Sequence, residues 1–231
     1  GAGLISPDLD ELAPAISMAS SNTGQFEFPV WGREGIGVIE PIWLLKYLPN
    51  MLACHISILM DCQGPSNSIT EADASSNLAV GEAARIIAGG KADVMVTGGA
   101  DSKIHPLSMT RMALYDTMSR WDGEPSQGLR PVDARRDGTL PGEGAGILIL
   151  EELGHALARG ARIHGEVLGA GSGCDAVPTG GQDPEGVGTE IAVRAALREA
   201  GIKAEDVGHV NAHAAGFRLG DLAEARAFAR V

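Results

Sequence analysis

The chain has 231 residues, 44% of them hydrophobic and 4% aromatic, with 18 Lys and Arg against 30 Asp and Glu for a formal net charge of -12. This is enough apolar material for one large domain or two small ones. The acidic balance disfavours non-specific nucleic-acid binding, and so few aromatics give a single strand little to stack on.

Cys54, Cys62 and Cys174 form neither a CxxC pair nor an even disulfide framework, which points to a reducing, cytoplasmic setting. The longest apolar run, around "MLACHISILM", is about half a membrane span and contains His55, so no membrane role is expected.

Residues 1–40 are rich in Gly, Ser, Pro and Asn and read as surface loops with little regular structure. "PIWLLKYLPNMLACHISILM" reads as a short helix stopped near Pro49 and a second apolar segment leading into the turn "DCQGPSN". "SITEA" follows as a short strand. Leu78, Ala79, Glu82, Ala83, Ile86 and Ile87 then recur at helical spacing, and Gly89-Gly90 offers a left-handed stop. "ADVMVTGGA" has the length and apolarity of a strand buried on both faces. Strand, helix and strand in this order predict an α/β sheet with at least one parallel crossover.

Further on, "GAGILIL" and "ARIHGEVLGAG" read as strands flanking the helix "EELGHALARG". The last section gives a helix in "GTEIAVRAALREAG", a strand in "DVGHVNAH" and a helix beginning near Leu219.

Two residues stand out chemically. Asp73 lies at the bend between "SITEA" and the following helix, where a side chain meets unpaired N–H groups and the positive end of the helix dipole. Such a place activates a thiolate nucleophile and would equally stabilise a carboxylate, although aspartate there is most often a helix cap. His213 closes a predicted strand, where a side chain faces the ligand crevice of an α/β protein, although a single histidine is more often structural. His209 and His213 are spaced for zinc on a helix, but a strand separates them too far, so no metal is expected. "PGEGAG" precedes a strand and lacks the Lys and Ser/Thr of a phosphate loop, so it reads as a close-packing turn. "RPVDARRDG" reads as a solvated turn whose Arg130, Arg135 and Arg136 could together form a basic patch.

Three stretches, "NMLACHISILMDCQGPSNSITEADASSNLAVGEAARIIAGGKADVMVTGGAD", "LRPVDARRDGTLPGEGAGILILEELGHALARGARIHGEVLGAG" and "VNAHAAGFRLGDLAEARA", resemble the β-ketoacyl-acyl carrier protein synthases. The resemblance implies a thiolase-like layered α/β fold (αβαβα), incomplete in this chain. It implies a loop-rich segment over 1–40, a first half over 41–160 and the opening of a second half over 161–231. In that family the elbow residue is the cysteine that accepts the acyl chain, and it falls on Asp73. A catalytic histidine falls on His213. It is followed in active members by a Gly-Thr-Ser-Thr run whose hydroxyls contact the phosphopantetheine arm, whereas here the sequence is "AAGF". The family's second histidine and its lysine lie further on than Val231, so the 231 residues are read as part of a longer polypeptide.

An acyl-aspartate would be a mixed anhydride, harder to form from a thioester and prone to hydrolysis, so Asp73 should abolish acyl transfer. The resemblance then implies a condensation-inactive ketosynthase-like subunit of fatty-acid or polyketide biosynthesis. Its partners would be an acyl carrier protein and a second subunit, in a homodimer or a heterodimer with an active ketosynthase. The thioester would arrive on the carrier's phosphopantetheine, with no dissociable cofactor. Two alternatives stay open: a malonyl-carrier-protein decarboxylase, which an anionic Asp73 suits poorly, and a condensing enzyme whose cysteine was replaced. Asp73 is expected to cap its helix and to contact a protonated His213.

Overall fold

The computed structural model describes residues 1–20, 24–115, 117–178 and 181–231. In chain order these form α1 (Leu9–Ser20), α2 (the single turn Phe28–Val30), α3 (Met51–Leu59), α4 (Ser75–Ala88) and β1 (Val94–Ser102). There follow α5 (Pro106–Leu114), β2 (Glu143–Glu151), α6 (Leu153–Ala158), α7 (Val187–Ala200) and α8 (Arg218–Arg230). None of the described helices is long and apolar enough to cross a membrane.

Helix α4 lies across β1, and β1 pairs antiparallel with β2 from Val94 opposite Glu151 to Ser102 opposite Glu143. Gly99 makes the approach of helix to strand possible, because a Cβ there would come within 2.7 Å of Ser76 Cβ. The helix ends as its glycines suggest. Gly90 takes φ +64° and its N–H donates to the Ile87 carbonyl at 2.9 Å, while Lys91 N–H donates to that of Ile86 at 3.1 Å.

The predicted strand "SITEA" has no ladder, and the expected parallel crossover is reduced to isolated contacts. Ala2 forms a parallel bridge with Ala100, its N–H donates to the Ile69 carbonyl at 3.1 Å, and the Gly1 amino group donates to the Gly98 carbonyl at 2.8 Å. The N-terminal residues thus occupy the space between Ile69 and β1. Nor is β1 enclosed on both faces: Thr97 and Gly98 are buried, but the strand ends are exposed. On β2, Ile147, Leu148 and Ile149 point alternately to the two faces and are 48%, 51% and 60% exposed. The predicted strands over 161–171 and 206–213 run without any ladder partner among the described residues. A pleated segment is stable only when a neighbour takes its N–H and C=O groups, and no strand pairs with them among the described residues.

Residues 1–40 are more regular than their composition suggests. α1 starts with Asp10 and Glu11 in its first turn, continues through good helix formers, and accommodates Pro14. Its buried Ala15 and Ala19, four apart, face the turns that follow. "PGEGAG" runs into β2 rather than ahead of it, its last four residues, 143–146, pairing with β1, and a Cβ at Gly142, Gly144 or Gly146 would meet nothing, so it is not a close-packing turn.

Close packing occurs elsewhere, where residues 169–173 lie along α7. A Cβ at Gly171 would stand 1.9 Å from the Ala192 carbonyl oxygen, and one at Gly173 would stand 2.0 Å from that of Gly188. Among the described residues the buried apolar ones are all alanines, and the accessible surface is 15210 Å². A compact monomer of 23.8 kDa exposes about 9,900 Å².

Two stability measurements follow. Gly171→Ala forces a methyl group into a helix backbone that cannot move aside, and should destabilise by about 2 kcal/mol, read as a lower urea midpoint. Gly142→Ala, which meets open space, serves as the control. At the end of β2, Arg159 grips Glu151 with Nε and Nη2 at 2.6 and 2.5 Å. His155 Nδ1 lies 2.5 Å from the same carboxylate. Together, Arg159 first, they hold its pKa at about 2, below its ordinary 4.5. A depressed carboxyl pKa adds stability above its unfolded value and loses it on acidification. The Glu151 contribution should therefore fade between about pH 4.5 and 2, and Glu151→Gln should flatten that part of a stability-against-pH curve.

Candidate active site

The elbow before α4 is strained. Ala72 takes φ +47°, a region that residues with a Cβ rarely visit, and a single 3-10 turn, Ala72–Ala74, carries the chain into the helix. The buried Ser75 holds this turn. Its hydroxyl donates to the Ala72 carbonyl at 2.7 Å and accepts the Glu71 N–H, also at 2.7 Å. Asp73 makes no capping hydrogen bond, contrary to the expectation from its position; the residue at the cap is Ala74. Because Ser75 already satisfies the turn, the Asp73 side chain is free to point outward.

Its side chain is 70% exposed, and Oδ2 lies 3.7 Å from Nε2 of His213, itself 55% exposed. The two residues singled out from the sequence are thus neighbours, 140 positions apart in the chain. The separation is longer than a hydrogen bond and within ion-pair range.

His213 sits in an irregular segment rather than at a strand end, and α8 positions it from behind. The Glu224 carboxylate accepts the His213 N–H at 2.8 Å on one oxygen and the Ala214 N–H at 3.0 Å on the other. Ala214 has φ +43°, so this bridge holds a strained backbone. One turn earlier, Asp221 is nearly inaccessible, its side chain 2% exposed. It accepts the Gly216 N–H at 3.0 Å and the Val132 N–H at 2.8 Å, and pairs with Arg136 Nε at 3.4 Å. Neither acid was singled out from the sequence. The available signal was "LGDLAE", acids in the first turns of a predicted helix, which reads equally well as a complement to the dipole.

The three arginines form no basic patch. Arg136 donates to the carbonyls of Asp133, Phe217 and Arg218. Arg130, 11% exposed, pairs with Asp137 at 3.0 Å and stacks 4.3 Å over the Trp121 ring. The Ser119 hydroxyl, the Arg120 N–H and the Arg130 charge hold the Asp137 carboxyl below its usual range. Arg135 alone faces solvent, paired with Asp133 at 3.2 Å. The "RPVDARRDG" turn is therefore a clamp that fastens to the start of α8 and so to the segment carrying His213.

An apolar cleft of about 430 Å³ runs between α3, α4 and β1, lined by Ile56, Ala83, Ile86 and Val96. Neither Asp73 nor His213 lines it. The chemistry available at the elbow is a carboxylate beside an imidazole, both open to water and without a thiol, since the free cysteines Cys54, Cys62 and Cys174 lie in other segments.

Comparison with known proteins assigns the chain to a family. Residues 2–156 match the family described as β-ketoacyl synthase, N-terminal domain, and residues 164–231 match its C-terminal domain. The chain belongs to the β-ketoacyl synthase family. It is 40% identical over 199 residues to a 3-oxoacyl-[acyl-carrier-protein] synthase 2 of Vibrio cholerae, covering 86% of this chain and 48% of that protein. With the mitochondrial synthase of Arabidopsis thaliana it shares 38% over 194 residues, 84% and 42% of the two chains. It spans about half the length of the curated relatives it matches.

Among solved structures, it superposes on a type II polyketide ketosynthase in complex with its acyl-carrier protein. There the TM-score is 0.84 at 25% identity, over 98% of this chain and 54% of the other. The ishigamide ketosynthase/chain length factor gives a TM-score of 0.76 at 29% identity, over 98% and 52%. A β-ketoacyl synthase from Burkholderia phymatum gives 0.78 at 32%, over 100% and 53%. The family's thiolase-like α/β fold is therefore established for this chain.

Replacing Asp221 by Ala would leave the Val132 and Gly216 N–H groups without their acceptor and the Arg136 guanidinium without its carboxylate, although its carbonyl acceptors remain. We expect a loss on the order of 3 kcal/mol. Hydrogen exchange should then quicken at Val132 and Gly216 before it quickens along α4.

Proposed function

We propose that this protein is a ketosynthase-family subunit that has lost condensation chemistry, engages a carrier-bound acyl thioester, and works beside an active ketosynthase. The carrying observation is the elbow: Asp73 stands on the strained turn before α4, 3.7 Å from His213, where the family's resemblance leads one to seek a cysteine. A carboxylate there cannot form a stable thioester. The run after His213, "AAGF", also lacks the hydroxyls that would hold a phosphopantetheine arm, so two elements of condensation are missing together. Likeness to a ketosynthase/chain length factor and to a ketosynthase bound to its carrier protein supports a partnered role. On this reading the acyl group arrives on the carrier's phosphopantetheine and no dissociable cofactor takes part.

The test compares the full-length protein with Asp73→Cys after incubation with an acyl-carrier protein, using intact-protein mass spectrometry. We expect an acyl adduct on the cysteine variant and none on the native protein. An adduct on the native protein would overturn the loss of condensation chemistry. Absence of an adduct on both, with no carrier binding, would overturn thioester engagement. Release of carbon dioxide from malonyl-carrier protein would instead favour a decarboxylase.

A further inference from the structure

We propose that Ser75 is the positioning residue of the elbow: its hydroxyl, and not the side chain at 73, sets the turn, and it withholds Asp73 from the cap of α4 so that residue 73 faces His213. This rests on the reading above, that the elbow meets a carrier-bound acyl group, and names what aims residue 73 at that group.

Three observations carry it. First, the turn is closed by residues 71–75 alone. The Ser75 hydroxyl donates to the Ala72 carbonyl and accepts the Glu71 N–H, both at 2.7 Å, so one oxygen ties residues 71 and 72 to the first residue of α4. Ser75 is 3% exposed and both roles of its hydroxyl are filled within the turn, so nothing outside it is needed to complete the arrangement. Second, Ala72 takes φ +47°, a conformation that an alanine leaves unless it is held. With an ordinary φ at that position, Asp73 would be free to do what aspartate does before a helix, accepting the N–H groups two and three residues further on. Third, Asp73 makes no such bond. Ala74 stands at the cap, and Asp73 Oδ2 lies instead 3.7 Å from His213 Nε2. A strong capping residue that yields the cap to an alanine beside it is under a competing constraint, and the Ser75 hydroxyl supplies one.

The geometry then belongs to the turn and passes to any side chain placed at 73. An acyl acceptor there must bring its nucleophilic atom up to the thioester carbonyl carbon, and a misplacement of about 1 Å can cost on the order of 100-fold in rate. Removing the hydroxyl leaves the Glu71 N–H without its acceptor. The strain is relieved when Ala72 returns to a common backbone region and residue 73 swings to the start of the helix.

The experiment uses the full-length protein with Asp73→Cys as the reporter, in the native Ser75 background and with Ser75→Ala or Ser75→Thr, the last of which keeps the hydroxyl. Transfer of the acyl group from octanoyl-carrier protein to the introduced thiol is followed by intact-protein mass spectrometry over a range of carrier concentrations. In parallel, crystal structures of the full-length protein with its native Asp73 are compared with and without Ser75→Ala. Ser75→Ala should lower the saturating rate by about 100-fold and leave the half-saturating carrier concentration unchanged, and Ser75→Thr should restore the rate. A merely structural role would lower the folded fraction, read by circular dichroism, without slowing the molecules that fold. In the Ser75→Ala crystal structure Asp73 should accept the Ser76 N–H. Equal saturating rates with and without the hydroxyl, or an Asp73 that stays beside His213 once the hydroxyl is gone, overturn the proposal. If the introduced thiol takes no acyl group in any background, the thioester reading falls and the crystal structures decide for Ser75: Asp73 at the cap upholds its role, and Asp73 beside His213 overturns it. Should Ser75→Ala fail to fold, Ser75→Gly removes the same hydroxyl and is read in the same way.

Discussion

Helix α4 reaches β1 because Gly99 carries no side chain; a Cβ there would stand 2.7 Å from Ser76 Cβ and 3.1 Å from the Gly1 carbonyl oxygen. The same device is used on its other flank, where a Cβ at Gly81 would meet Ala170 Cβ at 2.7 Å. Held between a strand and an extended segment, α4 has little freedom to shift, and neither has the elbow at its N-terminal end. The strained φ of Ala72 is tolerable only in such a frame, since a loose turn would relax out of the left-handed region. Among the described residues the buried apolar side chains are alanines, with backbone packed near backbone and no large side chain fully enclosed.

The polar groups complete the frame. Burying Asp221 costs solvation, and two N–H donors with the Arg136 guanidinium offset that loss. Its partners come from the 130–137 turn and from the residues after His213, so one carboxylate fastens two loops that are distant in sequence. Glu224 acts in the same way one turn later in α8. The position of His213 thus depends on a helix that contributes no side chain to the elbow itself. Further from the site, Arg85 joins α4 to Glu199 of α7 at 2.7 Å and to the Ala170 carbonyl at 3.0 Å. These exposed contacts add registration more than stability.

What could be read from the sequence follows a physical division. α4, α6, α7 and α8 were legible because a helix closes its own hydrogen bonds, and its stop signals, such as Gly90 and Gly201 in left-handed conformations, are local. The strands predicted over 161–171 and 206–213 form no ladder among the described residues, because a strand's hydrogen bonds belong to its neighbours and cannot be read from its own residues. α1 was hidden by the polar composition around it. At the site, Asp73 and His213 were legible as residue types in marked places. The capping role was misassigned because a sequence does not reveal that Ala72 turns left-handed and that Ser75 takes over the turn. The arginine clamp was misread for a similar reason: its acceptors are backbone carbonyls of Phe217 and Arg218, invisible to charge counting.

A carboxylate at the elbow alters which reactions the frame can favour. Two like charges about 4 Å apart repel by roughly 4 kcal/mol at an effective dielectric of 20, so a malonyl carboxylate is disfavoured beside an ionised Asp73. A neutral acyl thioester meets no such barrier. On the proposed reading, the elbow keeps the frame of a thioester site while its carboxylate, unlike a thiolate, forms no lasting acyl bond.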